Sequence, residues 1–268
     1  MPTINYIFWN VQPDLQIGSF SLHLYSLFFA VGLLAGGLFV NHYMQKLPVR
    51  QNYFFYAFFG IFIGARLFHC LFYDTHYYIA HPLEILLPIA FENGKAFFTG
   101  FNGLASHGGT LGLMAALAIF AKRNKVNYLQ ICDIFAVATP LAGGFIRLGN
   151  LMNSEIVGKP TSVDWAFIFP NVDLLPRHPA QLYEALWYFF LFFLAFFLFI
   201  RLKSRVKSGF FLFFCILGVA IFRFLIEFIK ENQSPIEENM FYNIGQMLSV
   251  PFILAGFIFF FILLKKKV

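Results

Sequence analysis

Two pairs of polar residues stand at helical spacing inside otherwise apolar segments. Arg147 and Asn150 are three residues apart, and Arg223 and Glu227 are four apart, so each pair lies on one face of a helix. Arginine stays protonated and presents a planar fork of donors that matches carboxylates and phosphates. The spacing therefore predicts anion recognition, with an intrahelical ion pair between Arg223 and Glu227 as the purely structural alternative.

Further polar residues occur in the other apolar segments. Glu184 follows Gln181 by three residues, Arg66 lies two residues after Gly64, and His107 precedes two glycines. If Glu184 and Glu227 each neutralise one of the three arginines, one positive charge remains, and a phospholipid phosphate would suit it. A tie to a carboxylate or to backbone carbonyls is the structural alternative for Arg66, whereas the position of His107 favours function.

The composition places these residues in a membrane. Hydrophobic residues make up 59% and charged residues 12% of the 268 residues, whereas about 25% of residues are charged in soluble domains. The mean hydropathy is +0.71. Ionisable groups within a membrane span each cost about 2.5–3.5 kcal/mol on insertion scales, so those that occur indicate function.

Seven stretches are apolar and long enough to cross a bilayer, which requires about 20 residues. We predict an all-α membrane protein with spans at about 20–41, 53–74, 104–121, 130–150, 180–200, 209–230 and 242–264. Continuous apolar runs exclude an outer-membrane barrel, whose strands alternate. The spans are close together, so we expect one polytopic domain over residues 1–268.

The distribution of positive charge predicts the orientation. The segments 42–52, 122–128, 201–208 and the C-terminus hold twelve Lys and Arg residues, and the alternate segments hold three. The positive-inside rule places the N-terminus outside and the C-terminus in the cytoplasm of a bacterial plasma (inner) membrane. Residues 1–19 lack the pattern of a signal peptide, so we expect the first span to direct insertion.

This orientation puts the polar residues named above in the outer half of the bilayer. Tyr25 and His23 lie near the outer end of the first span, and the other polar residues follow the same rule. A transporter would carry polar groups through the midplane. We therefore expect a pocket open to the outer leaflet.

Two outside segments, about 75–103 and 151–179, are long enough to fold. We predict a short interfacial helix over 82–91 and an extended piece over 163–170 with aromatic anchors. We expect these elements to gate substrate access. The three cysteines form no CxxC pair and fall in spans, so we interpret them as buried apolar residues.

The segment 143–158 carries a long motif: a glycine pair, Arg-x-Gly-Asn, an asparagine three residues further on, and Glu-x-x-Gly. It reads GGFIRLGNLMNSEIVG and resembles the signature of the bacterial prolipoprotein diacylglyceryl transferase family. The resemblance continues in three further motifs over the whole chain: SHGG at 106–109, RHPAQLYE at 177–184 and RFLIE at 223–227. In one departure, Phe145 and Ile146 separate the glycine pair from Arg147.

The resemblance implies an enzyme that acts on phosphatidylglycerol. The family transfers the diacylglyceryl group to the thiol of the lipobox cysteine in a preprolipoprotein signal peptide. A thioether forms and glycerol phosphate is released, which is the first step of lipoprotein maturation. Arginines suit this reaction because they stabilise a departing phosphate.

The resemblance also implies roles for individual residues. His107, Arg147 and Arg223 would be catalytic, with His107 taking the proton and Arg223 with Glu227 holding the leaving phosphate. Arg147 and Asn150 would bind the phosphate and the glycerol headgroup. Other residues would shape the lipid site or support it: Tyr25, Glu155, Gly158, Glu184, Arg66, His178 and Gln181.

Alternatives remain open. The base could be Tyr25 or a carboxylate, or Arg223 could lower the pKa of the thiol so that no dedicated base is needed. A phospholipid transporter or flippase would bind the headgroup without chemistry, and an assembly factor would present signal peptides to another enzyme. No metal or redox cofactor is expected, because no ligand spacing is present, and no nucleic acid is expected as a partner.

Overall fold

The chain divides into two compact units. The computed structural model describes residues 6–18, 20–49, 52–72, 74–87, 89–92, 95–98, 100, 103–232 and 240–264. The first unit comprises Met1–Tyr43 and Asp133–Val268, and the second comprises Met44–Cys132. The single polytopic domain over 1–268 stays a prediction.

Within the described residues, a helix occupies each of the seven predicted spans. The helices are α1 Leu24–Met44, α2 Tyr53–Phe72, α3 Thr75–Ala80, α4 Leu83–Leu86, α5 Ser106–Asn124, α6 Tyr128–Met152, α7 Ala180–Leu202, α8 Phe210–Ile226 and α9 Ile244–Leu264. Five of them, α1, α2, α6, α7 and α9, are long and apolar enough to cross a membrane, and α8 is a shorter apolar helix. The protein is therefore a helical, multi-pass membrane protein.

Short strands lie outside these helices. They are β1 Ile7–Phe8, β2 Asp14–Ile17, β3 Phe20–His23, β4 Ile89–Glu92, β5 Lys95–Phe98, β6 Phe167–Ile168 and β7 Pro176–Arg177. In the first unit, β6 lies between β1 and β7, parallel to β1 and antiparallel to β7. Of the extended piece predicted over 163–170, residues 167–168 form β6, whereas residues 164–165 form a turn.

The first helix begins later than predicted. Residues 20–23, predicted as the start of a span, form β3, which pairs with β2 in an antiparallel hairpin. Gly18, at the turn, has φ +64°, which glycine adopts at little cost. Nδ1 of His23 lies 2.7 Å from Oδ1 of Asp14, and this contact also favours the hairpin.

The interfacial helix predicted over 82–91 is wrong beyond its first turn. Helix α4 ends at Leu86, and β4 and β5 form an antiparallel hairpin instead. Leu87 has ψ 141°, and it precedes a proline in the sequence. Proline disfavours the helical region for the residue before it, so the helix ends there.

Close glycine contacts join α2 to α5 in the second unit. A Cβ on Gly64 would lie 2.3 Å from the carbonyl oxygen of Gly108, and one on Gly112 would lie 2.0 Å from that of Gly60. Glycines four residues apart on both helices allow this backbone approach, as in membrane helix pairs. Gly108, the first of the two glycines after His107, therefore serves helix packing.

In the first unit, Asp133 of α6 fixes the start of α8. Its carboxylate accepts the backbone N–H of Gly209 and that of Leu212, both at 2.8 Å. The free N–H groups of a helix start are favourable partners for an anion. This contact lies at the opposite end of α8 from Arg223.

Candidate active site

The ion pair between Arg147 and Glu184 joins the end of α6 to the start of α7. Nε of Arg147 lies 3.2 Å from Oε2 of Glu184, whose side chain is fully buried. Nη1 of Arg147 also donates to Oδ1 of Asn150 at 3.2 Å. The predicted face shared by Arg147 and Asn150 is thus present, and the carboxylate comes from a neighbouring helix.

Glu184 receives a second arginine from α8. Nη1 of Arg223 lies 3.4 Å from Oε1 of Glu184, and Nη2 lies 2.8 Å from Oε1 of Glu227. The intrahelical pair expected from the i, i+4 spacing is therefore formed. Because Glu184 contacts both arginines, it links α6 and α8 through α7.

Lys230 extends this arrangement beyond the end of α8. Its Nζ lies 3.4 Å from the same Oε1 of Glu227, and its side chain is only 1% exposed. The charges then alternate along one connected series, which we call the ion chain: Arg147, Glu184, Arg223, Glu227 and Lys230. Three cations against two carboxylates leave a net charge of +1.

The start of α9 holds the carboxylate of Glu227. Nδ2 of Asn243 donates to Oε2 of Glu227 at 2.8 Å. Oδ1 of Asn243 accepts the N–H of Gln246 at 2.9 Å, and Oε1 of Gln246 accepts the N–H of Asn243 at 3.2 Å, which is a reciprocal capping box. A Cβ on Gly245 would lie 2.6 Å from Oε1 of Glu227, so only glycine fits without a shift.

Three amides organise the turn that follows α6. Nδ2 of Asn150 and Nδ2 of Asn153 donate to Oε1 of Glu155 at 2.9 and 3.2 Å. Nε2 of Gln181 donates to the carbonyl oxygen of Glu155 at 2.6 Å. Asn150 thus connects Glu155 to Arg147, and the predicted site residues of α6 and α7 form one network.

Gly158 lies where two backbone segments converge. Its N–H donates to the carbonyl oxygen of His178 at 2.9 Å, and it pairs as a bridge with Lys230. A Cβ would lie 2.6 Å from that carbonyl oxygen and 2.9 Å from that of Ile229. Only glycine fits here without a backbone shift, so Gly158 positions the backbone of Lys230.

Arg177 reinforces this junction. Its Nη1 donates to the carbonyl oxygen of Gly158 at 3.1 Å, its Nε donates to Oδ1 of Asp173 at 3.0 Å, and it pairs with Glu231. The guanidinium holds the pKa of Asp173 below its ordinary value. His178, whose Nδ1 lies 3.3 Å from the hydroxyl of Tyr183, has its pKa lowered by burial.

The glycines of α6 face neighbouring helices. A Cβ on Gly149 would lie 2.9 Å from Cδ2 of Tyr25, which places this tyrosine of α1 against the end of α6. A Cβ on Gly143 would lie 3.2 Å from Cδ2 of Tyr188 on α7. Gly143 and Arg147 are four residues apart, so the two residues inserted after the glycine pair keep both on the face toward α7.

Arg66 and His107 belong to the second unit. Nε of Arg66 donates to the carbonyl oxygen of Ile85 at 3.2 Å, and Nη2 donates to that of Glu84. Arg66 thus makes the contacts to backbone carbonyls that its purely structural interpretation predicts. His107 lies in the first turn of α5, and its side chain is outside the described part of the structure. The placement of both residues relative to the ion chain stays a prediction.

The sequence analysis missed Lys230, Asn243 and Gln246. Lys230 stands at the edge of a predicted span, where a lysine ordinarily reaches toward water. The motif Asn-x-x-Gln before an apolar run is a capping signal that could have placed the start of α9 at Asn243. Nothing in the sequence alone indicates that Asn243 contacts Glu227.

The ion chain is suited to bind an anion. Buried ionic groups are costly unless they are compensated, and a phosphate monoester or diester would compensate the excess positive charge. Arg223 is 30% exposed, against 16% for Arg147 and 1% for Lys230, so it is the most accessible of the three cations. Among the described residues, no three His, Cys, Asp or Glu side chains cluster as metal ligands.

Comparison with known proteins places the chain in a family. The family model described as prolipoprotein diacylglyceryl transferase matches residues 14–262. A phosphatidylglycerol–prolipoprotein diacylglyceryl transferase of Bacteroides fragilis is 47% identical over 97% of this chain and 96% of its own length. Proteins of the same name from Tolumonas auensis and Porphyromonas gingivalis are 41% and 38% identical, covering 97% and 94% of this chain and 99% and 92% of their own lengths. This chain belongs to the prolipoprotein diacylglyceryl transferase family.

Proposed function

We propose that this protein transfers the diacylglyceryl group of phosphatidylglycerol to the thiol of a lipobox cysteine in a preprolipoprotein. The thiol sulfur bonds to a glyceryl carbon, the bond from that carbon to the phosphate oxygen breaks, and glycerol phosphate leaves. The observation that carries the proposal is the buried ion chain with its excess positive charge. It lies in a chain of this family, at the residues of the family motif.

The arginines stabilise the departing phosphate. Negative charge develops on the leaving oxygen as the bond breaks, and preorganised cations in a site poor in water act most strongly on such charge. Glu184 and Glu227 fix the guanidinium groups of Arg147 and Arg223 before the substrate arrives. Asn150, held by Glu155, adds an amide beside Arg147 for the headgroup.

His107 accepts the thiol proton in this proposal. A free thiol has a pKa of about 8.5 and is largely protonated at neutral pH, whereas an unperturbed imidazole, with a pKa of about 6.5, is largely available as a base. His107 lies in the first turn of α5, within the motif that the family resemblance identifies. Near-normal turnover of His107→Gln at neutral pH would assign the proton to Tyr25, to a carboxylate or to no dedicated base.

We propose that the protein crosses the bacterial plasma membrane seven times, with its N-terminus outside and its site at the outer leaflet. Helices at all seven predicted positions and the one-sided distribution of Lys and Arg support it. Single cysteines at residues 12 and 204, labelled with an impermeant maleimide in intact cells, test it. Labelling at 12 but not at 204 is expected, and the reverse would invert the topology.

A transporter is less well supported. Arg223 is the one charged residue of α8, and the remainder of that helix is apolar. In α7, Glu184 stands near the start and Arg201 near the end, with no charge between them. Charges confined to helix ends suit a pocket better than a polar path through the bilayer.

The proposal is tested with purified protein in detergent, phosphatidylglycerol labelled in its diacylglyceryl group and a lipobox peptide. We expect label on the cysteine peptide, none on a peptide with serine in its place, and loss of label with Arg147→Ala. A folded wild-type protein that binds phosphatidylglycerol but labels no peptide would overturn the proposal in favour of transport.

A further inference from the structure

Lys230 is a buried cation for which the motifs of the family resemblance provide no role. Its side chain is 1% exposed, although an ammonium group carries three donors and is costly to bury without compensation. Among the described residues, its ion-pair partner is Oε1 of Glu227 at 3.4 Å. The same oxygen accepts Nη2 of Arg223 at 2.8 Å.

Glu227 is therefore shared by two cations. Glu184 is shared as well, with Arg147 at 3.2 Å and Arg223 at 3.4 Å. Arg223 lies in the centre of the ion chain and contacts both carboxylates. If Lys230 were absent, two arginines would face two carboxylates, and the ion chain would carry no net charge.

We infer that Lys230 is a positioning residue that compensates Glu227, so that Arg223 keeps a net positive charge for the phosphate of the substrate. Arg147 compensates Glu184 in the same way at the other end. Arg223, the most exposed of the three cations, is then the one whose charge a ligand can meet. Lys230 acts through Glu227 and Arg223 and does not touch the lipid. The inference rests on the proposed function and assigns the charge balance of its site.

Substitutions that change or keep the net charge of the ion chain make the inference testable. Lys230→Gln leaves the ion chain neutral, whereas Lys230→Arg keeps it at +1. The double variant Glu227→Gln with Lys230→Gln also keeps it at +1, because one charge of each sign is removed. A role of Lys230 in packing alone would not be restored by a second substitution at Glu227.

The measurement is the affinity for glycerol 1-phosphate, the released product, by calorimetry on each purified protein that elutes as a single folded species. We expect binding about tenfold weaker for Lys230→Gln, because the phosphate then meets an ion chain without net charge; tenfold in affinity is about 1.4 kcal/mol. We expect affinity within about threefold of wild type for Lys230→Arg and recovery of most of the loss in the double variant. If Lys230→Gln does not fold, the other two proteins decide, and both must bind.

Two results would overturn the inference: wild-type affinity in Lys230→Gln, or no binding by a folded double variant. The outcome is separable from that of the proposed function. If the affinities of the four proteins for glycerol 1-phosphate follow the net charge of the ion chain but the wild type transfers no label to a peptide, the transferase is refuted. The anion site then still stands. If the wild type transfers label but the affinities do not follow the net charge of the ion chain, only the role of Lys230 is refuted.

Discussion

The side-chain amide of Asn243 donates to the carboxylate of Glu227 at 2.8 Å. This contact ties the first residue before α9 to the ion chain at the end of α8. The same asparagine caps α9 through its other side-chain atom, Oδ1. One residue therefore fixes a helix start and orients a carboxylate that pairs with Arg223.

The two functions of Asn243 can be separated by substitution. Asn243→Asp keeps the capping oxygen, removes the donor and places a second negative charge beside Glu227. We expect a larger fall in transfer rate than for Asn243→Ser, which keeps an oxygen cap without the added charge. Both variants should retain most of the stability, because Asp and Ser cap a helix about as well as Asn does. Rates and melting temperatures in detergent measure this, and equal rates for the three proteins would contradict it.

Gly158→Ala should damage both stability and activity. The added Cβ would meet two backbone carbonyl oxygens at 2.6 and 2.9 Å, and overpacking of this kind costs about 1–3 kcal/mol. The shift would also displace the bridge to Lys230. Gly37→Ala is the matched control, since a Cβ there meets nothing within 4 Å on an exposed helix position.

The control should be as stable as wild type or more stable, because alanine favours a helix over glycine by about 1 kcal/mol. Melting temperatures and transfer rates of both variants decide the matter. A Gly158→Ala protein that matches wild type in both would show that the junction is not as tightly packed as described.

The lowered pKa of His178 predicts that the protein loses stability at mildly acidic pH. Burial lowers its pKa in the folded state, whereas the unfolded side chain titrates at about 6.5. The unfolded state then binds more protons, so the stabilisation is complete above 6.5 and declines as the pH falls from there toward the lowered pKa. The melting temperature of His178→Gln should fall less than that of wild type between pH 7.5 and 5.5. Parallel falls in the two proteins would contradict the assignment.

Asp133 should affect stability without affecting the chemistry. Its carboxylate accepts two N–H groups at the start of α8, at the opposite end from Arg223. Asp133→Ala leaves those donors unpaired, which costs about 1–3 kcal/mol, and Asp133→Asn, which keeps one acceptor oxygen, should cost less. The transfer rate per folded molecule should stay at the wild-type value in both. A changed rate would show that the two ends of α8 are coupled.

Contacts within one helix could be predicted from the sequence, and contacts between helices could not. The pairs Arg147–Asn150 and Arg223–Glu227 follow from spacing and are present. The sequence allowed Glu184 to neutralise one arginine, but spacing carries no information on which helix faces which. Its contact with both Arg147 and Arg223 was therefore not predicted. Membership of the family, by contrast, followed from the motif over 143–158.

The residues at which helices begin and end were predicted least well from the sequence. The helix predicted over 82–91 is wrong beyond Leu86 because the proline after Leu87 disfavours a helical backbone at Leu87, which an apolar run does not reveal. Residues 20–23 were assigned to a span on hydropathy alone, although Gly18 indicated a turn. Lys230 was overlooked since burial of a lysine depends on the partners that the fold brings to it.

The most direct test of the central claim follows the diacylglyceryl group and the phosphate of the lipid separately. Phosphatidylglycerol carrying one isotope in its diacylglyceryl group and another in its phosphate is incubated with the protein and the lipobox cysteine peptide. The account predicts diacylglyceryl label on the peptide sulfur and an equal amount of phosphate label in soluble glycerol phosphate, with both lost in Arg223→Ala. Phosphate label on the peptide, or both labels remaining in intact lipid, would contradict it.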